Sequence, residues 1–157
     1  DGQTIGIIKG NKMGNSFDND VMNGTAPDYA YSYKLVMQKN NINDIVEECH
    51  GRAKRAGWYT DLKTNEPLNR NVPEMLALVH SEISEALEGY RKNLNDSHLP
   101  ERKSIEVELA DAIIRIVDLA GYLKLDLGGA YAEKLCYNAQ RQDHKIENRM
   151  KENGKQF

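Results

Sequence analysis

Apolar positions from residue 41 onward recur at spacings of three and four, which is the period of an amphipathic helix. The first predicted helix starts near Asn41 or Asn43 and ends at Gly57, a residue type that commonly follows a helix. The second is capped by Asn71, because Glu74 three residues later resembles the partner in a capping box. Two helices are therefore expected before residue 93.

Two further helices follow an asparagine-rich break. The third starts near Pro100 and frays at Gly121 and Lys124, and the fourth starts near Asp126 and reaches the 140s. The alternation of polar and apolar residues that is typical of strands is missing from 41–150. The sequence therefore predicts an all-α domain over this range, a bundle of four to five helices with short connections.

The first 40 residues have a different composition. Residues 1–40 hold five of the twelve glycines and many asparagines, with little helical periodicity. The segment Thr4–Ile8 is compatible with one short strand, but nothing obvious pairs with it. We expect residues 1–40 to form an irregular N-terminal extension and residues 151–157 to form a C-terminal tail.

Charge, hydropathy and cysteine usage exclude several classes of protein. The 21 basic and 24 acidic residues give a formal net charge of −3, so binding to a nucleic-acid polymer is not expected. No apolar run approaches the roughly 18 residues of a membrane span, so no membrane partner is expected. Cys49 and Cys136 have neither metal-ligand nor CxxC spacing. A reducing, cytoplasmic location fits this pattern best.

Four acidic residues form two pairs at a spacing of three, Glu82 with Glu85 on the second helix and Glu108 with Asp111 on the third. Each pair lies about a quarter turn or more from the apolar stripe of its helix, in the same rotational sense. If the helices pack antiparallel with their apolar stripes facing, the four carboxylates converge. Oxygen ligands favour Mg²⁺ first and Mn²⁺ second. Without an ion, the same acids would form a solvated acidic face.

The fourth helix carries a polar, cationic stripe. Lys134, Asn138, Arg141 and Lys145 recur at helical spacing, opposite the apolar side of the helix. Such a stripe suits a polyphosphate. By itself, the stripe is more typical of an ordinary charged outer face.

These motifs occur on three successive helices and together resemble the MazG-type, all-α nucleoside triphosphate pyrophosphohydrolases. The segments that carry the resemblance are His80–Glu88, Glu106–Arg115 and Glu133–Arg141, and the similarity spans about residues 42–145. Ser81 stands where the family's EExxE motif has its first glutamate. The extension over 1–40 lies outside the resemblance.

The resemblance implies hydrolysis of a (deoxy)nucleoside triphosphate between the α and β phosphates, giving a nucleoside monophosphate and pyrophosphate. Under this interpretation the metal ligands are Glu82, Glu85, Glu108 and Asp111. Either Glu82 or Glu85 would also be catalytic, as the acceptor of the proton of the attacking water. The phosphate-binding residues would be Lys134, Asn138 and Arg141.

Recognition of the base is assigned to the end of the first helix. His50 and Trp58 lie in the region where relatives that hydrolyse deoxycytidine triphosphate carry a similarly spaced His and Trp near the base. Trp58 offers a face for stacking on a base, and its alternative role is a lid on the core. The wide apolar faces of the second and third helices agree with the dimers or tetramers that the family forms.

Two other functions stay open. A phosphoribosyl-ATP pyrophosphohydrolase has a related helical fold and cleaves the same type of bond. A non-catalytic helical scaffold or nucleotide sensor would carry the acids only as a solvated face. A ferritin-like di-iron site would need two Glu-x-x-His pairs, and only Glu47 and His50 have that spacing.

Overall fold

The computed structural model describes residues 28–155, with side chains at 34 and over 36–155. This part of the chain is helical and contains no strand. Its α-helices are α1 (Asp28–Arg55), α2 (Val72–Lys92), α3 (Ser104–Tyr122), α4 (Leu127–Gln140) and α5 (Ile146–Arg149), and a 3-10 helix spans Gln142–His144. The prediction of an all-α fold is confirmed. The candidate strand over Thr4–Ile8 lies outside the described residues.

The first helix begins at Asp28, so the predicted start near Asn41 or Asn43 is wrong. The five glycines of the extension and Pro27 all precede this position. Residues 28–40 consequently contain no strong helix breaker and join the helix that follows. The break in composition lies near residue 27 rather than residue 40.

Three helices end in the same backbone motif. Gly57, Asn93 and Lys124 have positive φ angles of 84°, 52° and 56°. After each helix, an amide donates to a carbonyl five residues back, as Trp58 N–H does to the Ala53 carbonyl at 3.1 Å. This Schellman arrangement satisfies carbonyls that have no partner within the helix. The predicted stops at these three residues are confirmed.

The starts of α2 and α3 are set by local hydrogen bonds. The side chain of Asn71 accepts a hydrogen bond from the Glu74 amide at 3.3 Å, which confirms the predicted cap. α3 begins at Ser104 rather than near Pro100. The delay has a physical cause, because the loop over 95–103 closes on itself through an isolated antiparallel bridge between its two ends.

Asp126 caps α4 and connects it to α1. Its Oδ1 accepts hydrogen bonds from Gly129 N–H and Asn43 Nδ2, both at 3.0 Å, and Lys39 Nζ lies 2.9 Å from Oδ2. The hydrogen bonds from Asn43 and Lys39 lower the pKa of Asp126 to about 2. The predicted start of this helix is thus confirmed. It ends at Gln140, at the lower limit of the expected end in the 140s.

The described residues group into two compact units, one over Gln38–Glu133 and a smaller one formed by the described residues before and after this range. The larger unit contains α2 and α3 in full, most of α1 and the first half of α4. Its core is built around Val46, Val117 and Ala120, with Cys49 and Leu127 packed against them. The smaller unit contains the 3-10 helix and α5.

α2 and α3 form an antiparallel pair within the larger unit. Gly89, near the end of α2, lies against Ser104 at the start of α3, while Glu82 is bound by Arg115 further along α3. The buried residues of α2 share one helical face and are Met75, Glu82, Ala86 and Gly89. The contact stripe of α2 therefore includes an acidic residue.

The predicted apolar stripes do not form this contact. On α2, Leu76, Ile83, Leu87 and Tyr90 have exposed fractions between 46% and 70%. On α3, Leu109, Ile113 and Ile116 are exposed as well. The helices are antiparallel, but the condition that their apolar stripes face each other is not met. Small residues such as Ala86 and Gly89 let the two helix backbones approach more closely than leucine or isoleucine side chains would.

The packing of α1 on α3 makes Gly121 sensitive to substitution. A Cβ atom at this position would lie 2.5 Å from His50 Cβ and 2.7 Å from His50 Cγ. Replacing a helical glycine by alanine ordinarily stabilises a protein by about 0.5–1 kcal/mol, whereas overpacking costs about 1–3 kcal/mol. We expect the overpacking to dominate, so that Gly121→Ala lowers the free energy of unfolding by about 1–2 kcal/mol in urea denaturation.

Gly51→Ala is the matched control on α1. A Cβ atom there would meet only the guanidinium end of Arg55, at 3.2 Å, and this flexible group can move away. We expect this variant to be neutral or slightly stabilised. Equal destabilisation of the two variants would contradict the assigned role of the contact between Gly121 and His50.

Candidate metal centre and adjoining cavity

Three carboxylates converge at the contact between α2 and α3. Glu82, Glu108 and Asp111 each offer an oxygen, and these oxygens lie within 4.8 Å of one another. We call these three residues the acidic cluster. Glu82 comes from α2 and the other two residues come from α3, so the cluster depends on the packing of the two helices.

Glu85, the fourth predicted metal ligand, lies outside the acidic cluster. Its side chain is exposed, whereas Glu82 is buried and Glu108 and Asp111 are half-buried. The charge of Glu85 still reaches the cluster, because it is one cause of the raised pKa of Glu108. The structure therefore brings three of the four acids together and leaves the fourth beside them.

The electrostatics of the acidic cluster fit a divalent cation. Arg115 Nε donates a hydrogen bond to Glu82 Oε1 at 2.6 Å and neutralises part of the negative charge. Burial is the main cause of the raised pKa of Glu108, and the charges of Glu85 and Glu82 add to it. Like charges that repel one another in a half-buried site favour a bound cation. A set of carboxylate oxygens alone suits Mg²⁺ or Mn²⁺.

A cavity of about 510 Å³ adjoins the acidic cluster within the larger unit. Asp111 belongs both to the cluster and to the cavity wall, and Arg115 lines the cavity as well. The remaining lining residues are Cys49, Arg52, Ala53, Ala56, Trp58, Tyr59, Arg70, Met75, Leu78, Ile114 and Asp118. Apolar side chains combined with a few charged and aromatic groups are typical of a small-molecule site.

A hydrogen-bonded network stands at one wall of the cavity. Asp118 Oδ1 lies 2.8 Å from His50 Nδ1, and Asp118 Oδ2 accepts a hydrogen bond from the Tyr59 hydroxyl at 2.8 Å. Tyr59 also stacks on Tyr122, with ring centroids 5.3 Å apart. Burial, followed by the hydrogen bond to Asp118, raises the pKa of Tyr59 well above its usual range. The Tyr59 phenol is thus held in one position as a neutral donor.

The two predicted base-binding residues occupy different positions. Trp58 lines the cavity with an exposed fraction of 64%, so the indole is not a lid on the core. Its carbonyl accepts a hydrogen bond from Arg70 Nη1 at 3.3 Å. His50 is not among the lining residues, although it contacts two of them, Asp118 and Tyr59.

The three predicted phosphate-binding residues belong to the smaller unit. Lys134 is exposed, with Nζ 4.7 Å from the ring centroid of Tyr137, and Asn138 has a buried Oδ1 that accepts no hydrogen bond within the described part of the chain. Arg141 follows the end of α4 and binds Asp143, with Nη2 2.6 Å from Oδ2.

The cationic stripe does not continue along one helix. Arg141 has an extended backbone, with φ −67° and ψ 124°, and Lys145 lies between the 3-10 helix and α5. The prediction that Lys134, Asn138, Arg141 and Lys145 share one helix is therefore wrong. Their binding of phosphate stays a prediction.

Motif reasoning assigned no role to two charged residues on the wall. Arg115 and Asp118 follow Asp111 at spacings of four and seven, so the three residues share one face of α3. This helical spacing is visible in the sequence and could have placed Arg115 and Asp118 beside Asp111. Tyr59 and Arg70 had no such signal, because they belong to an irregular loop whose position depends on tertiary contacts.

Comparisons with protein-family models, curated proteins and solved structures found no match to this chain. Among the helices formed by residues 28–155, none is long and apolar enough to cross a membrane. The function proposed below therefore depends on the chemistry of the site and on the motif resemblance.

Glu108 provides a test of the acidic cluster. Because its pKa is raised from 4.5 in the folded protein, the folded state holds the proton more tightly than the unfolded chain does. Without a divalent ion, the free energy of unfolding should thus decrease as the pH rises from the unfolded-state pKa of 4.5 through the higher folded-state pKa. Glu108→Gln removes this titration. We expect the variant to melt at the wild-type temperature or above it near neutral pH without added metal.

Added Mg²⁺ should distinguish the two proteins by the size of its effect on the melting temperature. We expect it to raise the melting temperature of the wild type, followed by circular dichroism, and to have a much smaller effect on Glu108→Gln. Glu106→Gln is the control, because Glu106 is exposed on the same helix and pairs with Arg102. A Mg²⁺-dependent shift of the same size in Glu108→Gln would contradict the assignment.

Proposed function

We propose that this chain is a Mg²⁺-dependent nucleoside triphosphate pyrophosphohydrolase that cleaves a (deoxy)nucleoside triphosphate between the α and β phosphates. The observation that carries the proposal is that Asp111 belongs both to the acidic cluster and to the wall of the cavity. This arrangement suits a substrate with a polyphosphate at one end and an aromatic base at the other. The order of the three motifs supports the same reaction. A cytoplasmic location belongs to the proposal, and the two free cysteines agree with it.

The acidic cluster would hold the ion. Glu82, Glu108 and Asp111 are its proposed ligands, and Glu85 stands beside them as the fourth. Bound Mg²⁺, or Mn²⁺ as a substitute, would neutralise the triphosphate and the negative charge that develops during bond cleavage.

Proton transfer is assigned to the acids of α2. In the proposed reaction, a water oxygen bonds to the α phosphorus while the bond from this phosphorus to the bridging oxygen breaks and pyrophosphate leaves. Glu85 is the better acceptor of the water proton, because its carboxylate is exposed while Glu82 Oε1 accepts from Arg115. Lys134, Asn138 and Arg141 remain the proposed phosphate ligands on the basis of the resemblance.

The base is assigned to the aromatic part of the cavity. The exposed indole of Trp58 offers a stacking surface that accepts any base. His50 would act indirectly, since it supports Tyr59 and Asp118 on the cavity wall. The choice of base would then depend on polar groups along the same wall.

The turnover of a nucleotide panel tests this proposal. We expect pyrophosphate rather than orthophosphate from at least one ribo- or deoxynucleoside triphosphate in the presence of Mg²⁺. Asp111→Asn and Glu85→Gln should each lower kcat/KM by about two orders of magnitude or more, with unchanged helical circular dichroism. Glu106→Gln, an exposed acid on α3, should retain wild-type turnover.

The same panel distinguishes the alternatives. Turnover of phosphoribosyl-ATP in preference to every nucleoside triphosphate would assign the related pyrophosphohydrolase activity. No product with Mg²⁺ or Mn²⁺ and no thermal shift with either ion would favour a scaffold. Wild-type turnover in both acid variants would contradict the assigned site.

A second copy of this chain is the proposed partner of the exposed apolar stripes. The stripes on α2 and α3 include Leu76, Ile83, Leu87, Leu109 and Ile113, all of which are at least two-fifths exposed. An apolar surface that extends along two neighbouring helices is typical of an interface. Two such helix pairs would bury their stripes against each other in a closed, symmetric dimer.

Light scattering tests the self-association. We expect a dimer or tetramer at micromolar concentration, and we expect Leu87→Glu to shift the population toward monomer because it places a charge within the apolar stripe. Leu62→Glu is the control, since Leu62 is 84% exposed in the loop after α1. A monomeric wild type would contradict the proposed partner.

A further inference from the structure

We propose that Arg115 is an additional phosphate-binding residue, paired with Glu82 in the structure described above and turned toward the substrate phosphates when Glu82 serves as a metal ligand. This inference depends on the proposed function and adds a residue to which the motif resemblance assigns no role. The side chain of Arg115 bonds to the acidic cluster and also lines the cavity.

The burial of the two partners is unequal. The side chain of Glu82 is 7% exposed and that of Arg115 is 41% exposed, although Nε and Oε1 are only 2.6 Å apart. The hydrogen bond from Nε uses one of the five N–H donors of a guanidinium, and the remaining four belong to its two Nη groups. Arg115 thus reaches into the helix contact while much of its side chain is accessible from the cavity that it lines.

The position of Arg115 along α3 suits a phosphate chain. It lies one helical turn after Asp111, which corresponds to about 6 Å along the helix axis, and both residues face the cavity. Phosphates of a substrate held at the acidic cluster would therefore come within reach of the guanidinium. A guanidinium binds two phosphate oxygens at once and keeps its charge at any physiological pH.

The other two arginines of the cavity are engaged elsewhere. Arg52 Nε lies 2.6 Å from Glu48 Oε1, on the exposed side of α1. Arg70 donates to the Trp58 carbonyl, and its guanidinium carbon lies 6.0 Å from the ring centroid of Tyr59. Arg115 is the cavity arginine that is bonded to the acidic cluster.

Electrostatics favours an exchange in which Arg115 leaves Glu82 and binds a polyphosphate. A positive guanidinium and a divalent ion compete for the same carboxylate of Glu82, because each lowers the cost of burying its charge. Once Glu82 serves as a metal ligand, Arg115 would be repelled from the cluster and attracted by a polyphosphate. The flexible stem of arginine allows this change without movement of α3.

A purely structural ion pair makes a different prediction for metal binding. If Arg115 served only to position Glu82, its loss would disorder a metal ligand and weaken the binding of the ion. If Arg115 competes with the ion, its loss should leave metal affinity unchanged or increase it. In the first case the binding of phosphate would decrease together with that of the metal, whereas in the second case it should decrease while the metal affinity is kept.

The experiment uses the full chain and two probes that need no knowledge of the base. Binding of Mn²⁺ alone is followed by electron paramagnetic resonance, and binding of inorganic tripolyphosphate with Mg²⁺ is followed by calorimetry. For Arg115→Gln we expect Mn²⁺ affinity equal to or above that of the wild type, and tripolyphosphate affinity lower by about tenfold or more. Arg102→Gln, which breaks the exposed pair with Glu106 at the start of α3, should change neither affinity.

Arg115→Lys keeps the charge and covers the case in which Arg115→Gln fails to fold. We expect this variant to bind Mn²⁺ like the wild type and tripolyphosphate severalfold more weakly, because lysine lacks the planar fork. Weaker Mn²⁺ binding in either variant, or unchanged tripolyphosphate affinity in both, would overturn the proposal.

Two outcomes separate this proposal from the proposed function. If the wild type binds both probes as expected, the variants behave as above and no triphosphate is hydrolysed, the enzymatic function fails while the role of Arg115 is supported. If triphosphates are hydrolysed and both Arg115 variants keep the wild-type affinity for tripolyphosphate, the role of Arg115 fails alone.

Discussion

A buried glutamate in the contact between two helices is the constraint on which the rest of the site depends. Burying a carboxylate is unfavourable unless a partner compensates for the lost hydration, and Arg115 provides that partner at 2.6 Å from Glu82. The same contact places Glu108 and Asp111 beside Glu82, where burial and like charges raise the pKa of Glu108. Such an arrangement lowers the stability of the fold and is typical of a functional site.

The contact between α2 and α3 includes an acidic residue because α2 carries two neighbouring stripes. On α2, the contact stripe combines small residues with Glu82, while the stripe one residue further along holds Leu76, Ile83 and Leu87. Close approach of the backbones requires the small residues, so the larger side chains remain exposed. Glu82 is consequently enclosed in the contact, and the exposed apolar surface is the one proposed above to bind a second copy of the chain.

The local features of the fold could be read from the sequence with good accuracy. The cap at Asn71 and the stops at Gly57 and Asn93 depend on hydrogen bonds within a few residues, and they lie where they were predicted. The errors have local causes as well. The glycines at the start of the chain concealed a helix that begins at Asp28, and the extended backbone of Arg141 interrupts a stripe that looked continuous.

By itself, the sequence determined the all-α class, the cap at Asn71, the stops at Gly57 and Asn93 and the presence of two acidic pairs, because each depends on neighbours within one or two helical turns. The tertiary structure decided which helical face forms the contact. The packing of this face places Glu82 against Arg115, 33 residues away, and leaves Glu85 exposed. Tertiary contacts also connect His50 to Tyr59 through Asp118. Contacts between distant residues depend on how closely two whole surfaces can pack, and the spacing of residues along one helix does not contain that information.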